Sequence, residues 1–129
     1  MPFKSPYPRL DIPRTDILTY LFPLNTTPSD TPLWLDSSNP RHSLSPRQLL
    51  LWVKRLAVGL DKIGVKPGEV VMIHTPNHIF VPVAYLGIVG SGRVFSGANP
   101  VYTASGKDRA WKHAVKLRGV SNCLKLMSM

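Results

Sequence analysis

His74 and His78 stand four residues apart, a spacing that supplies two metal ligands when both lie on one helix face. Pro76 falls between them, where the chain reads as a strand end followed by a helix start, and no third ligand is near. They read as polar groups near the carboxyl edge of a sheet, and no metal is assigned to them. Gly87, Gly90 and Gly92 resemble a dinucleotide fingerprint written backwards. A true fingerprint opens a helix after a strand, whereas these glycines close one, so they read as packing and termination. Ser45, Ser91, Ser96 and Ser105 lack the G-x-S-x-G pattern of a nucleophile elbow. Trp52 and Tyr85 fall at helical spacing and read as core residues. Cys123 lies among Lys and Leu. Cationic neighbours can lower a thiol pKa, but a passive thiol is the default reading. No catalytic, cofactor-binding or metal-ligating residue is therefore assigned.

The elements that position these residues are clearer. Ser45 caps a helix, Pro46 suits its first position, and Gln48 completes a capping box. Leu49, Trp52, Val53, Leu56, Ala57, Leu60 and Ile63 then form one apolar stripe, which predicts a helix over 46–63 closed by Gly64. Leu33–Asp36 reads as a short strand before the turn Ser37–Pro40. Val70–Ile73 has no polar interruption and predicts a strand buried on both faces of a parallel sheet. Asn77 is the expected cap of a second helix over about 78–90, with Pro82 imposing a late start or a kink. Val94–Ser96 reads as a further strand. The order strand, helix, strand, helix, strand predicts an α/β fold with a partial parallel sheet and helical crossovers.

Composition bounds the classes. The chain has 129 residues, 43% of them hydrophobic and 18% charged, enough apolar material for one domain core. A single cysteine excludes an internal disulfide and a Cys-rich zinc site. The Pro-interrupted N-terminus has no apolar run resembling a signal peptide. The longest apolar stretch, 79–90, is 12 residues and too short to span a bilayer. The composition reads as soluble and intracellular. The formal net charge is +9: residues 1–105 contribute +4 (ten basic, six acidic) and residues 106–129 contribute +5 (six basic, one acidic). All 13 prolines lie at or before Pro100.

The helix from Leu44-Ser45 to Leu60, the turn Gly64-Val65-Lys66-Pro67-Gly68-Glu69 into Val70-Val71, and the run from Pro76-Asn77 through Tyr85-Leu86-Gly87-Ile88 to Gly97-Ala98-Asn99-Pro100-Val101-Tyr102-Thr103 form three connected passages. They resemble the N-terminal part of adenylate-forming (AMP-binding) enzymes, particularly fungal acyl-CoA synthetases similar to 4-coumarate–CoA ligase. The last is similar to the family's P-N-S…F-L-G…G-A…N-P-x-Y-T segment. The resemblance implies the opening portion of the family's large domain. It also implies a parent reaction in which ATP and magnesium activate a carboxylic acid to an acyl-adenylate, which then passes to coenzyme A. The family's Ser/Thr-Gly-Thr-Thr-Gly-x-Pro-Lys phosphate loop and its T-G-D ribose passage do not occur here. No cofactor is expected for this chain itself.

The resemblance divides the chain into a Pro-rich arm (1–32), a partial AMP-dependent synthetase/ligase domain (33–105) and a basic tail (106–129). After Ser105 the family continues with Glu, an amphipathic helix and another strand; here the chain reads Gly106-Lys107-Asp108-Arg109. Gly-Lys is what a split Glu codon read into an intron donor would encode, so the tail is expected to be intron or out-of-frame translation. Trp111, Ala114, Val115 and Arg118, with Lys107, Arg109, Lys112 and Lys116, could otherwise form a basic amphipathic helix. The expected function is a truncated N-terminal part of an acyl-CoA synthetase, inactive alone. Its helices would expose faces meant for missing sheet. The alternative is a binding or regulatory fragment that uses its tail on an anionic partner or pairs with a full-length relative. No specific nucleic-acid or membrane partner is predicted.

Overall fold

A computed structural model describes residues 6–99, 101 and 123–126, the last four by backbone alone. Asp16 caps a one-turn helix, α1 (Ile17–Leu21), its carboxylate accepting from the Thr19 amide at 2.9 Å. Two short strands follow, β1 (Trp34–Leu35) and β2 (Ser43–Leu44), paired antiparallel. The sequence pattern placed β1 in the parallel series. The link from 36 to 42 is too short for a crossover and closes a hairpin instead.

Helix α2 (Pro46–Lys62) begins as its sequence demands. Ser45 Oγ accepts from the Gln48 amide at 3.2 Å while Gln48 Oε1 accepts from the Ser45 amide at 2.9 Å, satisfying two orphan donors. Leu49, Val53 and Leu60 are buried and Leu56 partly so, but Ile63 is the exposed C-cap residue and does not continue the stripe. Gly64 adopts φ +82°, the left-handed turn that favours glycine. Its amide reaches the Asp61 carbonyl at 3.0 Å and the Val65 amide reaches the Leu60 carbonyl at 3.0 Å, a Schellman closure.

The chain then enters β3 (Val70–His74), whose first three residues are buried. Helix α3 (Val81–Gly90) returns it to β4 (Val94–Ala98), parallel to β3 with Val70 opposite Val94. Strand β5 (Cys123–Leu126) pairs parallel with the other edge of β3, giving the order β4-β3-β5. Asn77 does not cap α3. Phe80 is its N-cap and makes no side-chain cap bond. Pro82 lacks an N–H, so it fits only the first turn, and the start shifts forward accordingly. The end of α3 repeats that of α2: Gly92 at φ +75°, its amide on the Val89 carbonyl and the Arg93 amide on the Ile88 carbonyl, both at 3.0 Å.

The core has two parts. Leu44, Leu49, Val53, Val83 and Leu86 join the hairpin to α2 and α3; Leu60, Val65, Val71 and Ile88 join the helices to the sheet. Gly87 permits the close helix approach, since a Cβ there would lie 2.8 Å from Leu56 Cδ2.

Candidate functional site

The carboxyl ends of parallel strands are where α/β sheets place their ligands. Here that edge is made by His74, closing β3, and Ala98, its partner on β4. His74 Nε2 is buried without a hydrogen-bond partner. Across the following turn, His78 Nδ1 accepts from the Phe80 amide at 3.2 Å, and its ring stacks on Phe80 with centroids 5.8 Å apart. Asn99 Oδ1 accepts from the Val101 amide at 3.0 Å. Among the described residues, no group of three or more His, Cys, Asp or Glu side chains is gathered to hold a metal ion.

A second polar group sits in the β1–β2 loop. Asp36 Oδ1 accepts from the Ser38 amide at 2.8 Å and the Asn39 amide at 3.3 Å. The Ser38 amide, with smaller help from the Asn39 amide and the nearby His42 and His78, holds the carboxyl below its usual range despite some desolvation.

The other residues singled out by sequence have structural places. Ser45 is the α2 cap. Ser91 Oγ donates to the Gly87 carbonyl at 2.6 Å and lies within 3.0 Å of the Ile88 carbonyl. Ser96 lies in β4 opposite Met72. Gly90 lies against Leu18 of α1, and Gly92 makes the turn into β4. Trp52 and Tyr85 are not core residues: they are 40% and 42% exposed. Trp52 stands edge-on to Phe80 at 5.4 Å with the Arg55 guanidinium 5.0 Å over its ring, and Tyr85 stands edge-on to Phe95 at 5.2 Å. Trp52 falls at the margin of α2's apolar arc, and Tyr85 on the side of the uniformly apolar α3 away from Val83, Leu86 and Gly87, so only part of each ring is covered. Cys123 is placed as the first residue of β5. Its thiol, Ser105 and the tail residues Lys107, Arg109, Trp111, Lys112, Ala114, Val115, Lys116 and Arg118 lie outside the described residues.

Arg93 was not singled out, and it is the chain's most deeply buried charge among the described residues, only 4% exposed. Its Nε donates to the Val65 carbonyl at 3.0 Å, its Nη1 to the Ser91 carbonyl at 3.3 Å, and its Nη2 to Val65 and to the Asp61 carboxylate. The residue following the α3 closure thus grips the residue following the α2 closure. A basic residue wedged between a helix-ending glycine and the start of a strand was the available signal.

A nucleotide triphosphate does not fit these residues. Phosphate cradles present backbone N–H groups from a glycine-rich turn that opens a helix. The left-handed glycines Gly64, Gly68 and Gly92 instead close helices or lead into strands, and the turn before α3 has no glycine while Pro82 removes a donor from its first turn.

The AMP-binding enzyme family matches residues 24–121. The chain belongs to this family. The match begins before residue 33 and continues past residue 105. A phenylacetyl-CoA ligase of Aspergillus niger is 37% identical over 95 residues, covering 74% of this chain but 18% of that enzyme. A 4-coumarate–CoA ligase of Arabidopsis thaliana is 33% identical over 103 residues, covering 79% of this chain and again 18% of the relative. Among solved structures, a benzoate CoA ligase from Burkholderia xenovorans LB400 superposes with a TM-score of 0.62 at 22% identity, over 86% of this chain and 25% of that one. The fold is accordingly the α/β N-terminal portion of an adenylate-forming enzyme, in a family of ATP- and CoA-dependent ligases. The chain spans less than a fifth of the length of these curated relatives. The chain was expected to depart from the family after residue 105; β5 lies in that region, parallel to β3.

Proposed function

We propose that these 129 residues supply the opening sheet-and-helix layer of an acyl-CoA ligase and carry none of its ATP chemistry. The observation supporting this reading is the pairing of a family match over residues 24–121 with a turn into α3 unsuited to phosphate. Adenylation needs preorganised donors around the triphosphate and a positioned magnesium ion. The parent reaction is ATP-dependent activation of a carboxylic acid followed by thioester formation with coenzyme A. In it, this layer acts as scaffold: the two helix closures and the Arg93 grip fix α2 and α3 against the sheet, and β3 and β4 present their carboxyl ends. A chimera tests the scaffold role. Residues 24–105 replace their counterpart in the Aspergillus niger relative, and CoA thioester formation is followed. Retained turnover is expected; a folded chimera that binds ATP but has lost turnover overturns a purely structural role.

Residues 106–129 admit two origins. Sequencing the transcript across the codons for Ser105–Asp108 separates them. A dominant spliced form restoring Glu supports accidental translation of the tail. A continuous frame supports a genuine family segment, the origin favoured by the family match through residue 121 and by β5.

A further inference from the structure

On helix α2, Leu51 and Val58 lie seven residues apart on the side opposite the buried Leu49, Val53 and Leu60, and are 47% and 52% exposed. Basic side chains flank them: Lys54 on one side, Arg55 and Lys62 on the other, all exposed. Gly59 adds no side chain, and a shallow depression of about 360 Å³ opens there, lined by Lys54, Arg55, Val58, Gly59 and Lys62. The helix's one acid, Asp61, is paired with Arg93. Trp52 borders the patch with Arg55 over its ring.

We infer that this face of α2 docks on an anionic lipid surface, with headgroup phosphates among Lys54, Arg55 and Lys62 and with Leu51 and Val58 at the acyl boundary. Charge complementarity requires an anionic partner, and the net charge of +9 opposes a second copy of the chain. Two apolar side chains on a convex helix offer far less than the roughly 800 Å² per partner of a stable protein interface. A lipid surface demands no matching shape, and each cation near it contributes independently. The strongly apolar face of α2 is taken up by the core, so docking rests on Lys54, Arg55 and Lys62, with Leu51 and Val58 as a minor apolar contact.

The test uses the full chain and vesicles of phosphatidylcholine, alone or mixed equally with phosphatidylserine. Two charge-matched variants are compared: Lys54→Glu/Arg55→Glu/Lys62→Glu on α2, and Arg9→Glu/Arg14→Glu/Arg41→Glu away from it. The wild-type chain is expected to bind the anionic vesicles alone, more weakly as salt rises. The α2 variant should bind about tenfold or more weakly, and the second variant within about twofold of wild type. Equal losses in both variants would reduce the effect to net charge, and equal retention would move it to the tail; either overturns the α2 site. Binding of polyglutamate with no vesicle binding would assign a protein partner instead and overturn it too. Circular dichroism of each variant confirms folding before comparison.

Discussion

Arg93 is the residue on which the most backbone depends. Its guanidinium satisfies the Val65 and Ser91 carbonyls at the ends of two different helices. Arg93→Met keeps the stem's packing but strips the Val65 carbonyl of its donor, and should lower unfolding free energy by about 2 kcal/mol. Asp61→Asn should cost under about 1 kcal/mol, because Asp61 is exposed and Arg93 keeps its carbonyl partners. Urea unfolding of the two variants checks the ranking, and equal costs would mean that the ion pair, rather than the carbonyl grip, does the holding. Asp36 gives a pH-dependent counterpart. Its carboxyl is held low by the Ser38 amide, so its contribution is present above the unfolded-state pKa and lost as pH falls through the lower folded value. The Ser38 and Asn39 amide resonances should shift in acid below the usual aspartate range, and Asp36→Asn should abolish that transition.

The elements divide by how local their causes are. Helix α2 was legible almost to the residue, because its cap, stripe and closing glycine are all written within its own span. The late start of α3 was legible from Pro82, but its cap was not, since Asn77 offers a side chain that a helix opening at Phe80 does not use. The antiparallel hairpin was misplaced because a two-residue strand carries no period, and only loop length distinguishes a hairpin from a crossover. Trp52 and Tyr85 were misjudged for a related reason: helical spacing gives an angle, and the covered arc depends on neighbouring elements. The site proved less legible than the fold, since the Arg93 network joins residues about thirty apart that no local pattern connects. Two glycines separate element effects. Gly87→Ala drives a Cβ into Leu56 between α2 and α3 and should cost about 1–3 kcal/mol globally. Gly90→Ala meets Leu18 instead, and should release α1 while sparing the sheet. Hydrogen exchange would show protection lost in Ile17–Leu21 alone; loss across β3 as well would mean that α1 is integral to the core.

At the scale of the whole molecule, the family match covers a small part of a ligase. The chain belongs to the AMP-binding enzyme family and adopts the N-terminal fold of its ligases, yet covers 18% of the length of relatives such as the Aspergillus niger enzyme. The left-handed glycines Gly64 and Gly92 close helices, and the turn that opens α3 has no glycine. No helix among the described residues is long and apolar enough to cross a membrane. The most direct measurement is ATP–pyrophosphate exchange by the purified chain, with magnesium and a panel of aromatic and aliphatic carboxylic acids, beside an active relative as standard. No acid-dependent exchange is expected above background. Exchange that depends on both acid and chain, and follows the folded protein through purification, would contradict the account by placing adenylation chemistry in residues assigned here to scaffold alone.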